Sequence, residues 1–267
     1  MLGLAKYYVA AGRLSIQAQI QYRASTYFYL IGFLIEPVVY LVVWRTVAES
    51  QGGSIGGYSA EALTAYYIVW TLVRAMNVGF DPNAWGWRIQ RGRLNELLSR
   101  PVHPFHRDFA WFGGGKFVWI LLWLPMAAGL WIAFRPQISP TVLEGVAFFI
   151  AIWLAFAVRF ALLWALGMIT FWTTRGSAIF EIFVASELLL SGRLVPLELM
   201  PQWAQNVAAW LPFKWTFQFP IEVIIGRLST GEVLSGLAIQ TGWAAALIGV
   251  IWAVWKPAVS QYTAVGG

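Results

Sequence analysis

Residues 142–172 read VLEGVAFFIAIWLAFAVRFALLWALGMITFW, an apolar run that contains two charged residues, Glu144 and Arg159. A transmembrane helix needs about 20 mostly apolar residues, so a run of this length can cross a bilayer with some tilt. Similar runs recur along the chain, and the predicted spans are 26–47, 62–81, 110–134, 142–172, 178–195 and 233–255. The fold class is therefore predicted to be an all-α integral membrane protein with six transmembrane helices.

The composition excludes an ordinary soluble protein. Hydrophobic residues make up 59% of the 267 residues and charged residues only 11%, whereas a soluble domain carries about 25% charged residues. The six spans use nearly the whole chain, so a separate soluble catalytic domain does not fit, and 1–267 is predicted to be one transmembrane domain. Because the chain has no cysteine, disulfides and thiolate metal sites are excluded.

The positions of lysine and arginine predict the orientation of the chain. Segment 82–108 contains Arg88, Arg91, Arg93, Arg100 and Arg107, and segment 1–24 contains Lys6, Arg13 and Arg23. Because loops rich in these residues stay in the cytoplasm, both segments and both termini are predicted to be cytoplasmic. Topology thus explains the net charge of +6, and no nucleic-acid partner is expected. Segment 1–24 also mixes in apolar residues, which predicts an interfacial helix on the membrane lipid; the alternative is a partly ordered polar tail.

A short amphipathic helix is predicted within segment 82–108. Leu94, Leu97 and Leu98 are spaced i, i+3 and i+4, so they share one helix face. Prolines at positions 101 and 104 end the helix. The charged residues that lie mostly off the apolar face are Arg91, Arg93, Glu96 and Arg100. Two interpretations stay open: a helix that docks on a cytoplasmic partner, or a basic loop that only sets the orientation.

Segment 196–232 is predicted to form short helices on the outer side, before the last span at 233–256. Prolines at positions 196, 201, 212 and 220 divide it into pieces that are too short to cross the bilayer. Two short helices that dip into the outer leaflet fit this pattern, because non-spanning backbone is tolerated there where protein covers it. The alternative is a cap that lies on the membrane surface.

Several charged residues fall within the apolar runs: Glu36, Arg74, Arg159, Glu181 and Glu187. A charge at the bilayer centre costs on the order of 2.5–3.5 kcal/mol, so each of these groups is expected to face the protein interior, to pair, or to line water. One interpretation is a translocation cavity between two subunits. The other is ion pairing within the bundle, for instance of Glu181 or Glu187 with Arg159 or Arg74.

The sequence lacks the motifs that catalysis or nucleotide binding would need. Gly113-Gly114-Gly115-Lys116 is followed by Phe117 and is not a phosphate-binding P-loop. No nucleophile elbow and no H-E-x-x-H motif is present. His103 and His106 lack a supporting cluster of carboxylates or thiolates and make a poor metal site. The chain is therefore predicted not to be an enzyme and to hold no metal or cofactor itself.

Two stretches carry a family resemblance. Gly92-x-Leu94-x-x-Leu97-Leu98-x-Arg100-Pro101 resembles the coupling-helix segment of type-two ATP-binding-cassette (ABC) permeases, which are exporter-like membrane subunits with six spans. SGRLVPLELMPQW at 191–203, followed by LPF at 211–213, resembles the loop before the last span of the same permeases. The two stretches lie in the family's order and on opposite predicted sides of the membrane.

The resemblance implies a set of partners and site residues. The partners are a second permease, identical or a sister chain, and two copies of a separate ATPase that binds ATP and Mg, in the plasma (inner) membrane of a prokaryote. The implied ATPase-coupling residues are Arg91, Arg93, Leu94, Glu96, Leu97, Leu98, Arg100 and Pro101, with the three leucines as the anchors that the ATPase buries. The implied outer gate contains Ser191, Gly192, Pro196, Pro201, Trp203, Leu211 and Pro212.

The function implied by the resemblance is ATP-driven export of a hydrophobic or amphipathic substrate through the interface between two permeases. An ion-coupled secondary transporter or channel that uses the intramembrane charges is the alternative. An assembly subunit without transport is a further one.

Overall fold

The structure is a computed structural model that describes residues 2–136, 138–173 and 176–262. Its helices are α1 (Leu2–Gln21), α2 (Arg23–Ser50), α3 (Ala60–Asn77), α4 (Asn83–Gln90), α5 (Arg93–Leu98), α6 (Pro104–Phe134), α7 (Val142–Gly167), α8 (Gly176–Leu190), α9 (Gln202–Ala209), α10 (Phe213–Thr216), α11 (Gln218–Ile224) and α12 (Thr230–Ser260). Two 3-10 turns, Met168–Phe171 and Leu197–Leu199, and one antiparallel hairpin, β1 (Ser54–Ile55) with β2 (Tyr58–Ser59), complete the secondary structure of these ranges. The predicted all-α class is confirmed.

Four helices of the described ranges are long and apolar enough to cross a membrane: α2, α6, α12, and α7 with its extension to Phe171. They match the first, third, fourth and sixth predicted spans. The second and fifth predicted spans fold as α3 and α8. Helix α8 has 15 residues, about 22 Å at 1.5 Å per residue, which is less than the ~30 Å hydrocarbon core. The count of six spans therefore stays a prediction.

Helix α7 lies at the centre of the bundle, packed against α3, α11 and α12. Thr141 and Glu144 form a capping box at its start, and Ser229 and Glu232 form one at the start of α12. Each box satisfies backbone N–H groups that have no partner in the first helical turn, which explains where both helices begin. Helix α3 is buried along most of its length, between α2, α6 and α7.

Helix α1 packs along the first half of α6. Glycines make this contact possible, because a Cβ atom added to Gly114 would lie 2.5 Å from the Cα of Gly12. One turn further along, the Ser15 hydroxyl donates a hydrogen bond of 2.6 Å to the carbonyl of Trp111. A helix is present where one is predicted in segment 1–24, but its placement on the membrane surface stays a prediction.

Candidate functional site

The carboxyl end of α3 lies inside the protein, and its backbone carbonyl groups accept hydrogen bonds from two cationic side chains. The Lys116 ammonium of α6 donates hydrogen bonds to the carbonyls of Ala75, at 3.1 Å, and Val78. The Arg159 guanidinium of α7 donates to the carbonyl of Asn77. Because the last carbonyls of a helix lack intrahelical partners and carry the negative end of its dipole, these cations stabilise a largely buried helix end.

The guanidinium of Arg159 also forms a bidentate ion pair with Glu187 of α8. Its Nε and Nη2 atoms lie 2.5 and 2.9 Å from the two carboxylate oxygens, and both side chains are buried. The structure thus brings together Arg159 and Glu187, two of the five charged residues that the sequence analysis singles out within the apolar runs. It does not join Glu181, which is exposed on α8. A cavity lined by these charges would need a second subunit and stays a prediction.

A second ion pair joins α2 to the segment that follows α8. The Arg193 Nη2 atom lies 2.8 Å from each carboxylate oxygen of Glu36. Arg74 of α3 lies within Coulombic range of both this pair and the Arg159–Glu187 pair. Arg193 falls at the end of the predicted span 178–195 and is not among the charged residues singled out there, so this pairing was missed. Its one signal in the sequence is its position directly after Ser191 and Gly192 in the family-like stretch.

Three aromatic side chains of α3 hold the backbone of residues 192–194. The hydroxyls of Tyr66 and Tyr67 donate to the carbonyls of residues 192 and 194 at 2.7 and 3.0 Å. The indole N–H of Trp70 donates to the carbonyl of residue 193 at 3.0 Å. We call this contact the α3 clasp. It fixes the start of the outer segment to a buried helix.

Gly192 is required by the clasp geometry. Its φ of +81° is a conformation that side chains with a Cβ rarely adopt. A Cβ atom there would also lie 2.6 Å from the Gln218 side-chain oxygen and 2.7 Å from the Tyr66 hydroxyl. The small-residue pair Ser191-Gly192 in the family-like stretch therefore has a steric reason.

Next to the clasp, two carboxylates share one amide and one hydroxyl. The Gln218 side-chain N–H group donates to Glu198 at 2.8 Å and to Glu222 at 2.8 Å. The Tyr58 hydroxyl donates to the same two residues, at 3.2 and 2.9 Å. Burial, followed by the nearby charge of Glu198, raises the pKa of Glu222. Burial also raises the pKa of the Tyr58 hydroxyl, which keeps it a donor.

The predicted outer-gate residues divide into two groups. Ser191, Gly192, Pro196 and Pro212 are buried and Leu211 is half-buried, whereas Pro201 and Trp203 are exposed. Segment 196–232 contains three short helices before α12, namely α9, α10 and α11, where two are predicted. Helix α9 leaves an apolar face exposed that contains Trp203 and Val207, with Trp210 directly after it. This face fits an apolar surrounding, while its entry into a leaflet stays a prediction.

The predicted docking helix folds as a hairpin of two short helices, α4 and α5, and Pro104 then starts α6. Leu94 and Leu97 are 0% and 3% exposed, and they pack in a core with Trp85 and Trp164. This burial disagrees with the expectation that an ATPase buries these two leucines, because the chain itself already covers them. Leu98 is 37% exposed and remains available to a partner.

The charged residues of the hairpin remain on its surface. Arg91, Arg93 and Arg100 are exposed, as is Pro101, and Arg100 forms an exposed ion pair of 2.5 Å with Glu96. Exposed pairs of this kind contribute about 0–1 kcal/mol. Because such a pair is weak, the charges of the hairpin remain able to interact with a partner protein.

A largely buried ion pair anchors this hairpin to the bundle. Arg88 of α4 makes two hydrogen bonds of 2.7 and 2.8 Å to the Asp108 carboxylate of α6. The indole N–H of Trp164 on α7 donates to the same carboxylate at 3.1 Å. The Trp85 indole donates to the carbonyl of Trp164 at 3.3 Å. Sequence reasoning missed this pair, because Arg88 is one of many arginines and Asp108 has no local partner.

Residues 34–266 match the family described as "ABC-2 family transporter protein". This match covers most of the chain, and the chain belongs to that family. It confirms the resemblance to type-two ABC permeases. The chain is thus an integral membrane permease of an ABC transporter, which is a transport subunit rather than an enzyme. The partner of such a permease is an ABC ATPase subunit. No curated protein and no solved structure matches the chain.

Proposed function

We propose that the chain exports a hydrophobic or amphipathic substrate through the interface of two permease subunits, driven by two copies of the ATPase. The observation that carries this proposal is the α4–α5 hairpin. It presents Leu98 and several exposed charges outward, while a buried ion pair and an aromatic core fix it to the bundle. Such a segment can transmit the movement of a bound partner protein to the helices of the bundle.

The inner half of the proposed mechanism runs from the hairpin to α7. Trp85 and Trp164 pack edge to face with ring centroids 4.8 Å apart, and both belong to the same hydrogen-bond network as Arg88 and Asp108. Buried, fully paired polar groups hold one arrangement because an unpaired buried charge is costly. Movement of the hairpin by the ATPase would therefore move α6 and α7 with it.

The outer half runs from α7 to the outer segment. The Arg159–Glu187 pair joins α7 to α8, and the α3 clasp holds the residues that directly follow α8. Arg159 also donates to the Asn77 carbonyl at the end of α3, so a shift of α7 would act on α8 through the ion pair and on α3, which makes the clasp, through this hydrogen bond. We propose that the link between α8 and the outer helices opens the gate formed by Ser191, Gly192, Pro196, Pro201, Trp203, Leu211 and Pro212 to the outside, as a rigid-body rocking of helices.

The proposed interface with the second permease uses exposed apolar faces of α2 and α8. Ile35 and Val39 are exposed on α2, and Ile182 and Leu189 are exposed on α8. Glu181 lies on the exposed surface of α8 as well, so we assign it to the proposed path. The competing ion-coupled mechanism needs ionisable groups that can bind a coupling ion, and Glu36 and Glu187 are instead held by arginines.

The proposal is tested by identifying the proteins that co-purify with the tagged chain from its native host in mild detergent. We expect an ATPase with a P-loop, and we expect Leu98→Asp to lose it. The matched control is Val142→Asp at the predicted outer side. That residue is 86% exposed, and an acidic residue is favourable in the first turn of α7. Absence of any ATPase from the wild-type sample, even after gentle crosslinking, would contradict the proposal.

A further inference from the structure

A cleft of about 560 Å³ separates α1 from the start of α6 and from the end of the hairpin segment. Its charged lining consists of Arg88, Arg100, Arg107 and Asp108. Asp108 is already occupied by Arg88 in the buried pair described above. Arg100 is paired with the exposed Glu96, so the guanidinium of Arg107 leaves the cleft with an excess of positive charge.

Arg107 is the less exposed of these two arginines. Among the residues that the structure describes, no carboxylate lies within ion-pair distance of its guanidinium. A half-buried guanidinium of this kind favours an anionic group with oxygen acceptors, because Arg binds phosphate through several donors at once. Arg100 lies on the same cleft, where it forms an exposed pair with Glu96.

The remaining walls of the cleft are largely apolar. Ala11 and Leu14 line it from α1, and Trp111 and Phe112 line it from α6. A ligand that fits must therefore combine an anionic group, placed at the arginines, with an apolar part, placed between the two helices. A phospholipid with an anionic headgroup combines both, and basic pockets beside membrane helices on the cytoplasmic side bind such headgroups.

We propose that the cleft between α1 and α6 binds an anionic phospholipid, with its phosphate at Arg100 and Arg107 and an acyl chain along Ala11, Leu14 and Trp111. This inference rests on the cytoplasmic placement of segment 82–108 in the proposed function. The lipid would fill the space between the interfacial helix and the hairpin segment that contacts the ATPase. It would thereby tie the position of Arg100 to the inner leaflet.

The test is native mass spectrometry of the intact chain in detergent, titrated with phosphatidylglycerol or phosphatidylcholine. The wild-type chain is expected to retain phosphatidylglycerol preferentially. Arg100→Gln and Arg107→Gln are each expected to weaken this retention about fivefold, since one arginine near a membrane surface contributes about a factor of that size. Ala11→Phe, which fills the apolar wall without a change of charge, is also expected to weaken it.

Arg23→Gln is the matched control, because Arg23 is an exposed arginine of the same predicted membrane side that does not line the cleft. An equal loss of retention in Arg23→Gln and Arg107→Gln would overturn the site, as would unchanged retention in the Arg100→Gln, Arg107→Gln double variant. If inorganic phosphate competed for the cleft as strongly as the lipid does, the assignment of a lipid to the cleft would be overturned. The co-purifying ATPase is measured in the same samples, so loss of the lipid site and loss of the ATPase are separate results.

Discussion

Replacing Glu187 with glutamine tests whether the buried pair with Arg159 holds α8 to α7. In the wild-type chain, two guanidinium nitrogens face two carboxylate oxygens at 2.5 and 2.9 Å, and a third nitrogen donates to the Asn77 carbonyl. A glutamine keeps one oxygen acceptor and adds an N–H group that Arg159 cannot accept. The variant therefore loses one charge-assisted hydrogen bond and leaves the buried charge of Arg159 without its counter-ion.

The size of the effect follows from these two losses. A hydrogen bond to a charged group contributes about 1.5–3 kcal/mol, and breaking a buried pair on one side costs about 3–5 kcal/mol. We expect Glu187→Gln to lower the free energy of unfolding by about 3 kcal/mol. Replacing both partners by methionine is expected to cost less than either single change, because no charge is then left buried.

The assay is thermal and denaturant unfolding of the purified permease in one detergent, for Glu187→Gln and for a cycle of Arg159→Met, Glu187→Met and the double methionine variant. The coupling free energy from this cycle is expected to be about 1–3 kcal/mol. A change of less than about 0.5 kcal/mol in Glu187→Gln, the range of ordinary surface substitutions, would refute the reasoning. So would a double variant that is less stable than both single variants.

Three further predictions concern the hairpin and the outer segment. Leu97→Ala is expected to lower the free energy of unfolding by about 2–5 kcal/mol because Leu97 is buried, whereas Leu98→Ala is expected to change stability little and to weaken recovery of the ATPase. Unfolding measures the first effect and co-purification the second. Equal stability of the two variants would contradict the hairpin packing. Gly192→Ala is expected to lower the free energy of unfolding by at least about 1–2 kcal/mol from its positive φ alone. The control is Gly145→Ala, where an added Cβ meets nothing within 4 Å, and its melting temperature should be no lower than that of the wild-type chain. Burial and Glu198 raise the pKa of Glu222, so ionising this side chain lowers the stability of the folded chain. This loss of stability is absent below the ordinary carboxyl pKa and is complete above the raised pKa. Glu222→Gln is therefore expected to raise the melting temperature at pH 8 but not at pH 4, and an equal change at both pH values would argue against that cost.

Composition and apolar runs predicted the all-α class, and the longest runs became the four helices that can cross a membrane. The capping boxes of α7 and α12 are local signals that the sequence also contains. Helix α8 ends at Leu190, before the end of the predicted span at 195, because the chain turns at Ser191 and Gly192. An apolar run predicts burial, and it does not predict where the helix turns.

The partners of buried groups were less accessible to sequence reasoning. The cost of a buried charge predicts that Glu36 and Glu187 have partners, but Arg193 lies 157 residues from Glu36, and only the tertiary fold brings them together. The leucine spacing in the hairpin predicts one apolar face, which the structure shows. It does not predict whether this chain or a partner covers that face, and Leu94 and Leu97 are covered from within.

The most direct test of the proposed function is a cysteine crosslink between the hairpin and the ATPase. Because the natural chain has no cysteine, Leu98→Cys and Val142→Cys each create one reactive thiol, at the two predicted sides of the membrane. We predict that a short bifunctional reagent joins the ATPase to the Leu98→Cys chain and not to the Val142→Cys chain. A crosslink to the ATPase from Val142→Cys, with none from Leu98→Cys, would contradict the account.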